Sequence, residues 1–472
     1  MIDQNTLTPL KILLGPSGYR DDPEELAPWL TDWRGRYTGK AAAMVSPATT
    51  AEVAEIVKFA AAHRIALVPQ GGNSGMVAGA TPDQSGDSLL LSMRRMNKFV
   101  GIDTASGDAT VEAGLILQSF HEAVAPHGYR FPLTLGGKGS ATIGGLISTN
   151  AGGTQVLRHG TMRSLVLGIE AVLPDGSIFD GMAPLKKDNR GYDLKQLLIG
   201  GEGTIGIVTK AVLRTVPALI DRCVVWAGVK SPTAAYSLLQ HLQRQAGSAL
   251  EGFEILPQSA LDAVLRHIPG TRAPLSGPHN WHALIEMVQD DAAQPSPADL
   301  AQRLMAGAME AGLAEDATLS ANEAQAEAFW KIRDSISEAE RAEGPALQHD
   351  VSVPVADMAR FIEAETPDIE ARFPGTRVVA FGHLGDGNIH YHVKAPKGMT
   401  AARWYNDSAP ISAHVYDRVE AYRGSLSAEH GIGMAKLAEF KRLADPARLS
   451  VARAIKTALD PLNIMNPGKL VP

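Results

Sequence analysis

The sequence predicts an α+β protein of two functional halves, and three observations carry that reading. The chain has 472 residues, more than one hydrophobic core usually serves. Glycine is frequent (46 residues) and gathers in "PQGGNSG" (69–75), "LGGKGSATIGG" (135–145), "NAGG" (150–153), "GGEGTIG" (200–206) and "GHLGDGNIHYH" (382–392), four of these five before residue 217. From about 220 to 425 glycine thins out. There, helical patterns of roughly 10–15 residues alternate with strands such as "WHALIEMV" (281–288) and "TRVVAFGHL" (376–384).

Each element follows from local pattern. Residues 49–62 read as a helix: Thr49 and Glu52 form a capping-box pair, and Val53, Ile56, Val57 and Ala60 repeat at helical spacing. "IALVP" (65–69) is a short buried strand running into the first glycine loop, and "SLLLS" (88–92) and "ATVEAGL" (109–115) are further strands. Leu117, Phe120 and Val124 share one face of the next helix. "LVLGIEAVLPDGSIF" (165–179) is a hairpin turning at "PDG", and "IGIVTKAVLRTVP" (205–217) is a strand whose Pro217 is a candidate boundary. The tail, 446–470, is a helix followed by a turn.

Composition excludes several classes. A net charge of −7 without a long basic run gives no reason to expect a nucleic-acid partner. The single cysteine, Cys223, precludes an internal disulfide framework. "MIDQNTLTPLKILLG" has neither a secretory nor a transit pattern, and no apolar run reaches the roughly 18–20 residues of a spanning helix. The expectation is a cytoplasmic protein, at most peripheral to an inner membrane.

Glycine loops let consecutive backbone N–H groups converge on an anion, because no Cβ blocks approach. One such loop is more often a plain turn. Several within about 140 residues suit a long phosphate-bearing ligand. "GEGTIG" (201–206) satisfies G-x-G-x-x-G, but the β-branched "IVTKAVL" that follows reads as strand where a dinucleotide fingerprint needs a helix.

"GHLGDGNIHYH" (382–392) is the second candidate site. A two-residue turn at Asp386–Gly387 puts His383 directly opposite His390, close enough for both imidazoles to reach one cation. His392 continues that face, while Ile389, Tyr391 and Val393 point into a core. A third ligand must come from elsewhere, and "LSAEHGIG" (426–433) offers Glu429 beside His430. A structural hairpin remains the alternative reading. In "FWKIRDSISEA" (329–339), Arg333 and Ser337 are four apart and stack on one helix face, which is equally the pattern of a solvated face.

These motifs together resemble the vanillyl-alcohol oxidase type of FAD-binding domain. They most resemble its D-2-hydroxyacid dehydrogenase branch, which acts on 2-hydroxyglutarate, lactate and glycolate. The resemblance runs over nearly the whole chain. It implies a two-part FAD domain (1–217), an α+β substrate domain with an antiparallel sheet (218–425), and a helical C-terminal segment (426–472) returning to the flavin. FAD contacts are implied for Pro69, Gln70, Gly71, Gly72, Asn73, Ser74, Gly75, Thr134, Gly136, Ser140, Gly144, Gly145, Asn150, Gly152 and Gly153. Glu202, Gly206, Ile207 and, in "NPGK" (466–469), Asn466 complete that set. Residues 69–82 contain no histidine, so non-covalent FAD is expected. The resemblance further implies His383, His390 and Glu429 as ligands of a divalent metal, zinc by preference. It assigns His430 as catalytic base and places Arg333, Ser337, Gln348 and His392 around the substrate. Thr134 and Ala141 stand where many relatives have aspartate and cysteine. Gln348 stands where many have lysine or arginine, and His392 where hydroxyglutarate-type members have asparagine.

The expected activity is therefore oxidation of a D-2-hydroxy acid to the 2-oxo acid. Electrons would pass to an electron-transfer flavoprotein, a quinone or a cytochrome, and a homodimer is a further expectation. The rivals are an oxidase using O2, a flavin-binding subunit inactive alone, and a zinc hydrolase whose glycine loops merely turn.

Overall fold

A computed structural model describes residues 2–472. The chain divides into two compact units. Met1–Gly153, Gly160–Pro217 and His430–Pro472 make the first; Thr154–His159 and Ala218–Glu429 make the second.

In the first unit, β1 (Tyr19–Arg20), β2 (Ala43–Val45), β3 (Ala66–Gln70) and β4 (Ser88–Ser92) form a sheet in the order β1-β2-β4-β3. β2 and β3 both run parallel to β4, so the chain needs a crossover between them. The helix Thr50–His63 supplies it. Thr49 Oγ1 accepts the Glu52 N–H, and Glu52 reaches back to the Ala48 N–H at 2.8 Å. A second, antiparallel sheet takes β5 (Phe99–Asp103) and β6 (Asp108–Glu112). Beyond the short β7 (Tyr129–Arg130), it adds β8 (Val166–Val172), β9 (Ile178–Gly181) and β10 (Ile207–Arg214), in the order β5-β6-β10-β8-β9. β7 pairs with β11 (Val216–Pro217). Leu117, Phe120 and Val124 on the helix Leu117–Val124 are fully buried, as their spacing predicts.

The second unit is built on seven strands: β12 (Asp221–Val229), β13 (Leu250–Pro257), β14 (Trp281–Gln289), β15 (Asp316–Leu319), β16 (Ala346–Ser352), β17 (Arg377–His383) and β18 (Asn388–Lys394). All pairs are antiparallel, in the order β15-β12-β14-β13-β17-β18-β16. Gln258–His267, Glu323–Asp334 and Ile336–Ala342 pack on one apolar cluster with Trp226, Leu284, Val379 and Phe381. Cys223 is free and buried on β12. No helix among the described residues is long and apolar enough to cross a membrane.

Two boundaries differ from the sequence expectation. Residues 426–429 stay with the second unit: Ser425 bridges Ser352, and the Glu429 N–H donates to Asp350 Oδ2 at 3.1 Å. Residues 154–159 also join it, because Arg158 pairs with the buried Glu251 at 2.9 Å and with Asp290 at 2.6 Å. Nothing in the local pattern of "TQVLRH" announces those distant partners.

His282 on β14 shows how a buried polar group is satisfied. Its Nδ1 accepts from Trp226 Nε1 at 3.0 Å and its Nε2–H donates to Gln258 Oε1 at 2.8 Å. Burial, with a smaller push from His279, lowers its pKa from 6.5 to about 4. The unfolded chain therefore takes up a proton below pH 6.5 that the folded chain refuses until about pH 4. Stability should fall by about 3 kcal/mol as pH drops through that window and stay level in this respect below it. His282→Gln should flatten that part of the slope in denaturant unfolding measured across the window. Superimposable pH profiles for the two proteins would contradict it.

Candidate flavin cradle and metal centre

In the first unit the glycine loops interlock. β3 delivers the chain to Gly71 and Gly72, and no larger residue fits there. A Cβ on Gly72 would stand 1.7 Å from Ser140 O, and one on Gly71 would stand 2.1 Å from Thr142 Oγ1. Gly153 packs equally tightly, 2.4 Å from Thr134 O. By contrast, a Cβ on Gly75, Gly136 or Gly139 would meet nothing within 4 Å, so these backbones are open to a ligand. Gly144 serves packing, its Cβ position lying 2.8 Å from Ala113 Cβ; Gly206 does the same against Leu198 at 2.9 Å. Gly145 donates its N–H to the capping Thr142. Asn73 is left-handed and donates to Thr31 O. Asn150 is left-handed too, and its Oδ1 accepts from Thr161 and Arg163.

Among the described residues of this unit, two buried amide oxygens lack a protein donor: Gln70 Oε1 and Asn466 Oδ1. Their amide nitrogens are fully used. Gln70 donates to Trp29 O and Ala80 O, and Asn466 to Gly79 O and Glu202 O. Orphaned buried acceptors are costly by about 1–3 kcal/mol each. The ring N–H and ribityl hydroxyls of a flavin are donors of the kind they need, and the open glycine backbones suit its pyrophosphate. The residues present fit FAD.

In the second unit the hairpin carries the other cluster. Its register differs from the expectation. His383 faces Asn388, and His390 faces Phe381. The loop is four residues, Leu384–Gly387, with Gly387 left-handed at φ 84°. Asp386 does not adopt the positive φ that a two-residue Asp-Gly turn requires, and accepts the Asn388 N–H instead. The ladder is thereby displaced by two residues, which preserves parity. His383 and His390 still share a face, with ring centroids 5.5 Å apart. His392 lies on it too, opposite Gln348, and Ile389, Tyr391 and Val393 are fully buried on the other side.

One donor atom each from His383, His390 and Glu429 falls within 4.8 Å of the others. His383 Nε2 is 3.9 Å from Glu429 Oε1, while its Nδ1 is gripped by Glu254 on β13. A carboxylate on the far nitrogen is the support a metal-ligating histidine uses to fix its tautomer and aim. Glu254 also accepts from Arg333 Nε at 2.8 Å, and Arg333 Nη2 is 3.5 Å from His383 Nε2.

The cluster is strongly coupled: four carboxylates, Glu254, Asp350, Asp386 and Glu429, stand with Arg333 and with a His383 whose own pKa is raised. Burial, with Asp350 and Asp386, raises Glu429 to about 7 against the pull of His383. Burial likewise raises Asp386. Burial opposes charge on His383, yet Glu254 overrides it and pushes the imidazole up to about 9. Glu254 overcomes its own burial through Arg333 and His383 and sits at about 2. His390 is driven well down by burial, then by Arg333 and His383, which keeps it neutral and able to ligate. A donor set of two imidazoles and one carboxylate fits zinc, with manganese or iron also compatible.

The family comparisons bear on the flavin half of this construction. Residues 220–470 match the family described as FAD linked oxidases, C-terminal domain, and residues 41–181 match the FAD binding domain family. The chain belongs to the FAD-linked oxidases. A mitochondrial D-2-hydroxyglutarate dehydrogenase of Arabidopsis thaliana is 36% identical over 474 residues, covering 100% of this chain and 82% of the relative. A D-2-hydroxyglutarate dehydrogenase of Xanthomonas citri pv. viticola is 33% identical, covering 96% of this chain and 93% of the relative. Among solved structures, an alkyldihydroxyacetonephosphate synthase superposes with a TM-score of 0.76 at 15% identity, over 99% of this chain and 86% of the other. That likeness is one of fold. The chain is thus an FAD-linked oxidoreductase of α+β fold, and the hydrolase reading falls.

Several residues of this FAD-linked oxidase escape sequence reading. Glu254, Asp350 and Glu340 are all buried; Glu340 holds His392 Nδ1 at 2.5 Å. The available signal is a charge interrupting an apolar strand, as in "FEIL" (253–256). The predicted single helix over 329–339 is two: Arg333 lies near the end of Glu323–Asp334 and Ser337 near the start of Ile336–Ala342, parted at Ser335.

The interlocked loops yield a prediction. Gly72→Ala forces a backbone shift at Ser140, and overpacking of that kind costs about 1–3 kcal/mol. If the shift falls on the flavin-bound form, FAD affinity should drop about 10- to 100-fold, read by titrating the apoprotein with FAD. An unaltered affinity would show that this loop contact does not shape the cradle.

Proposed function

We propose that this FAD-linked oxidase is a metal-dependent dehydrogenase of D-2-hydroxy acids, with 2-hydroxyglutarate and lactate as the leading candidates. The FAD is dissociable. The observation that carries the reading is the convergence of Arg333 with His383, His390 and Glu429. An anion clamp beside a cation site suits a carboxylate adjoining an alcohol, which is what a 2-hydroxy acid presents.

Bound FAD supplies the hydride acceptor, and its reoxidation is assigned to a carrier flavoprotein, a quinone or a cytochrome. A cation held by His383, His390 and Glu429 would lower the alcohol pKa. Arg333 binds carboxylate and orients the acid, while Glu254 fixes both Arg333 and His383. His430 takes the hydroxyl proton on its imidazole, a role for which histidine needs no large pKa shift. Gln348 and His392, facing each other across β16 and β18, are assigned to the far end of the acid. Ser337 is proposed as a further contact. The relatives named for D-2-hydroxyglutarate make that acid the first to try.

The test is anaerobic mixing of the holoenzyme with a panel of D- and L-2-hydroxy acids, following loss of the visible flavin absorption. Rapid bleaching by one D-acid, its loss on chelation and its recovery with zinc would support the reading. Bleaching that is indifferent to chelation, or that favours L-acids, would overturn it.

A further inference from the structure

Glu202 is placed by the third glycine loop, and its carboxylate is engaged by the backbone of a segment some 230 residues away. Both oxygens are taken by consecutive backbone N–H groups: Ile432 N at 2.7 Å and Gly433 N at 2.8 Å. The side chain is buried, and the residue is left-handed at φ 49°, between Gly201 and Gly203. A glycine would occupy that conformation with less strain, so the position retains a glutamate for what the side chain does. Two successive N–H groups on a left-handed turn form an anion nest, and here the anion belongs to the protein.

The gripped segment is the one that follows His430. Gly431 is left-handed at φ 80°, and a Cβ there would lie 2.7 Å from Glu202 Oε1. Gly433 is left-handed at φ 51°, and its Cβ position is 2.2 Å from Val77 O. Val77 O in turn accepts from Met434 N at 3.0 Å and Ala435 N at 3.1 Å. The turn is therefore clamped on one side by a carboxylate and on the other by a carbonyl. Glu202 is itself anchored: its N–H donates to Ser148 O at 2.9 Å and its carbonyl accepts from Asn466 Nδ2 at 2.8 Å. Burial raises the pKa of Glu202, opposed by the Ile432 and Gly433 N–H groups and then by Lys436 and Lys469.

We propose that Glu202 is a positioning residue for His430, holding the 431–433 turn on which the orientation of that imidazole depends. The inference rests on the proposed role of His430 as base. It separates Glu202 from the flavin contacts among which the sequence motif would place it: the side chain orients the base, and flavin affinity does not depend on it.

Glu202→Gln keeps size and removes one of the two acceptors. Displacing an oriented group by about 1 Å costs about 100-fold, so kcat per bound flavin should fall about 10- to 100-fold. KM should change little, because Arg333 is untouched, and FAD content and metal content should match the parent. His430→Gln and the double variant close a cycle. If the double variant is no slower than His430→Gln alone, the two residues act as one unit. Full kcat in Glu202→Gln while His430→Gln is impaired overturns the positioning role. Full kcat in His430→Gln overturns the base assignment and the inference with it. Loss of flavin in Glu202→Gln with normal kcat in the loaded fraction returns Glu202 to the cofactor site. Should that variant fold poorly, Glu202→Asp is the second probe. It keeps the charge on a shorter arm, and the same fall in kcat at constant KM is expected.

Discussion

His383→Ala is expected to purify with its flavin and without its metal, and to turn over about a thousandfold more slowly or worse. A Lewis-acidic cation supplies several kcal/mol of transition-state stabilisation. At about 1.4 kcal/mol per decade that converts to three or more powers of ten. The flavin is expected to remain because its candidate contacts belong to the first unit, whereas His383 belongs to the second. The fold should survive as well. Removing the imidazole takes one partner from Glu254, but Arg333 Nε remains 2.8 Å away, so the carboxylate is not left buried and unpaired. Metal analysis, flavin absorption and steady-state rates on one preparation decide the matter. Unchanged turnover in a metal-free protein would end the metal-dependent reading.

The elements that sequence pattern locates well are those whose cause is local. The capped helix Thr50–His63 and the strand Ser88–Ser92 need only their own residues to be read. The hairpin around Asp386 shows where locality stops. "DG" favours a two-residue turn, but the carboxylate of Asp386 bonds the Asn388 N–H and lengthens the loop. Parity survives a displacement of two, so His383, His390 and His392 still line one face although their partners changed. What local pattern cannot supply is the second layer. Glu254 is 129 residues from the histidine it holds, and Glu340 is 52 from His392. Glu202 is 230 residues from the turn it clamps. In each case a long-range partner decides what a locally unremarkable carboxylate does. Such partners are legible only once the strands are paired.

Arg333 is where that second layer meets the proposed substrate site, and its replacements should separate two effects. Arg333→Lys keeps a positive charge but loses the planar fork that can bond Glu254 through Nε while presenting its outer nitrogens to an anion. Charged hydrogen bonds contribute about 1.5–3 kcal/mol, so KM for the acid should rise about 10- to 100-fold with a smaller change in kcat. Arg333→Ala should do more, and partly through stability. Glu254 is 1% exposed, and stripping a buried pair of one partner costs about 3–5 kcal/mol. Metal affinity should not fall, because His383 keeps Glu254 on its Nδ1 and a positive charge 3.5 Å from its Nε2 is removed. Thermal unfolding of the two variants, beside KM and metal content, apportions these effects. A lysine variant with parental KM would place the carboxylate anchor on another residue, and Arg333 would be left as the counter-charge of Glu254 alone.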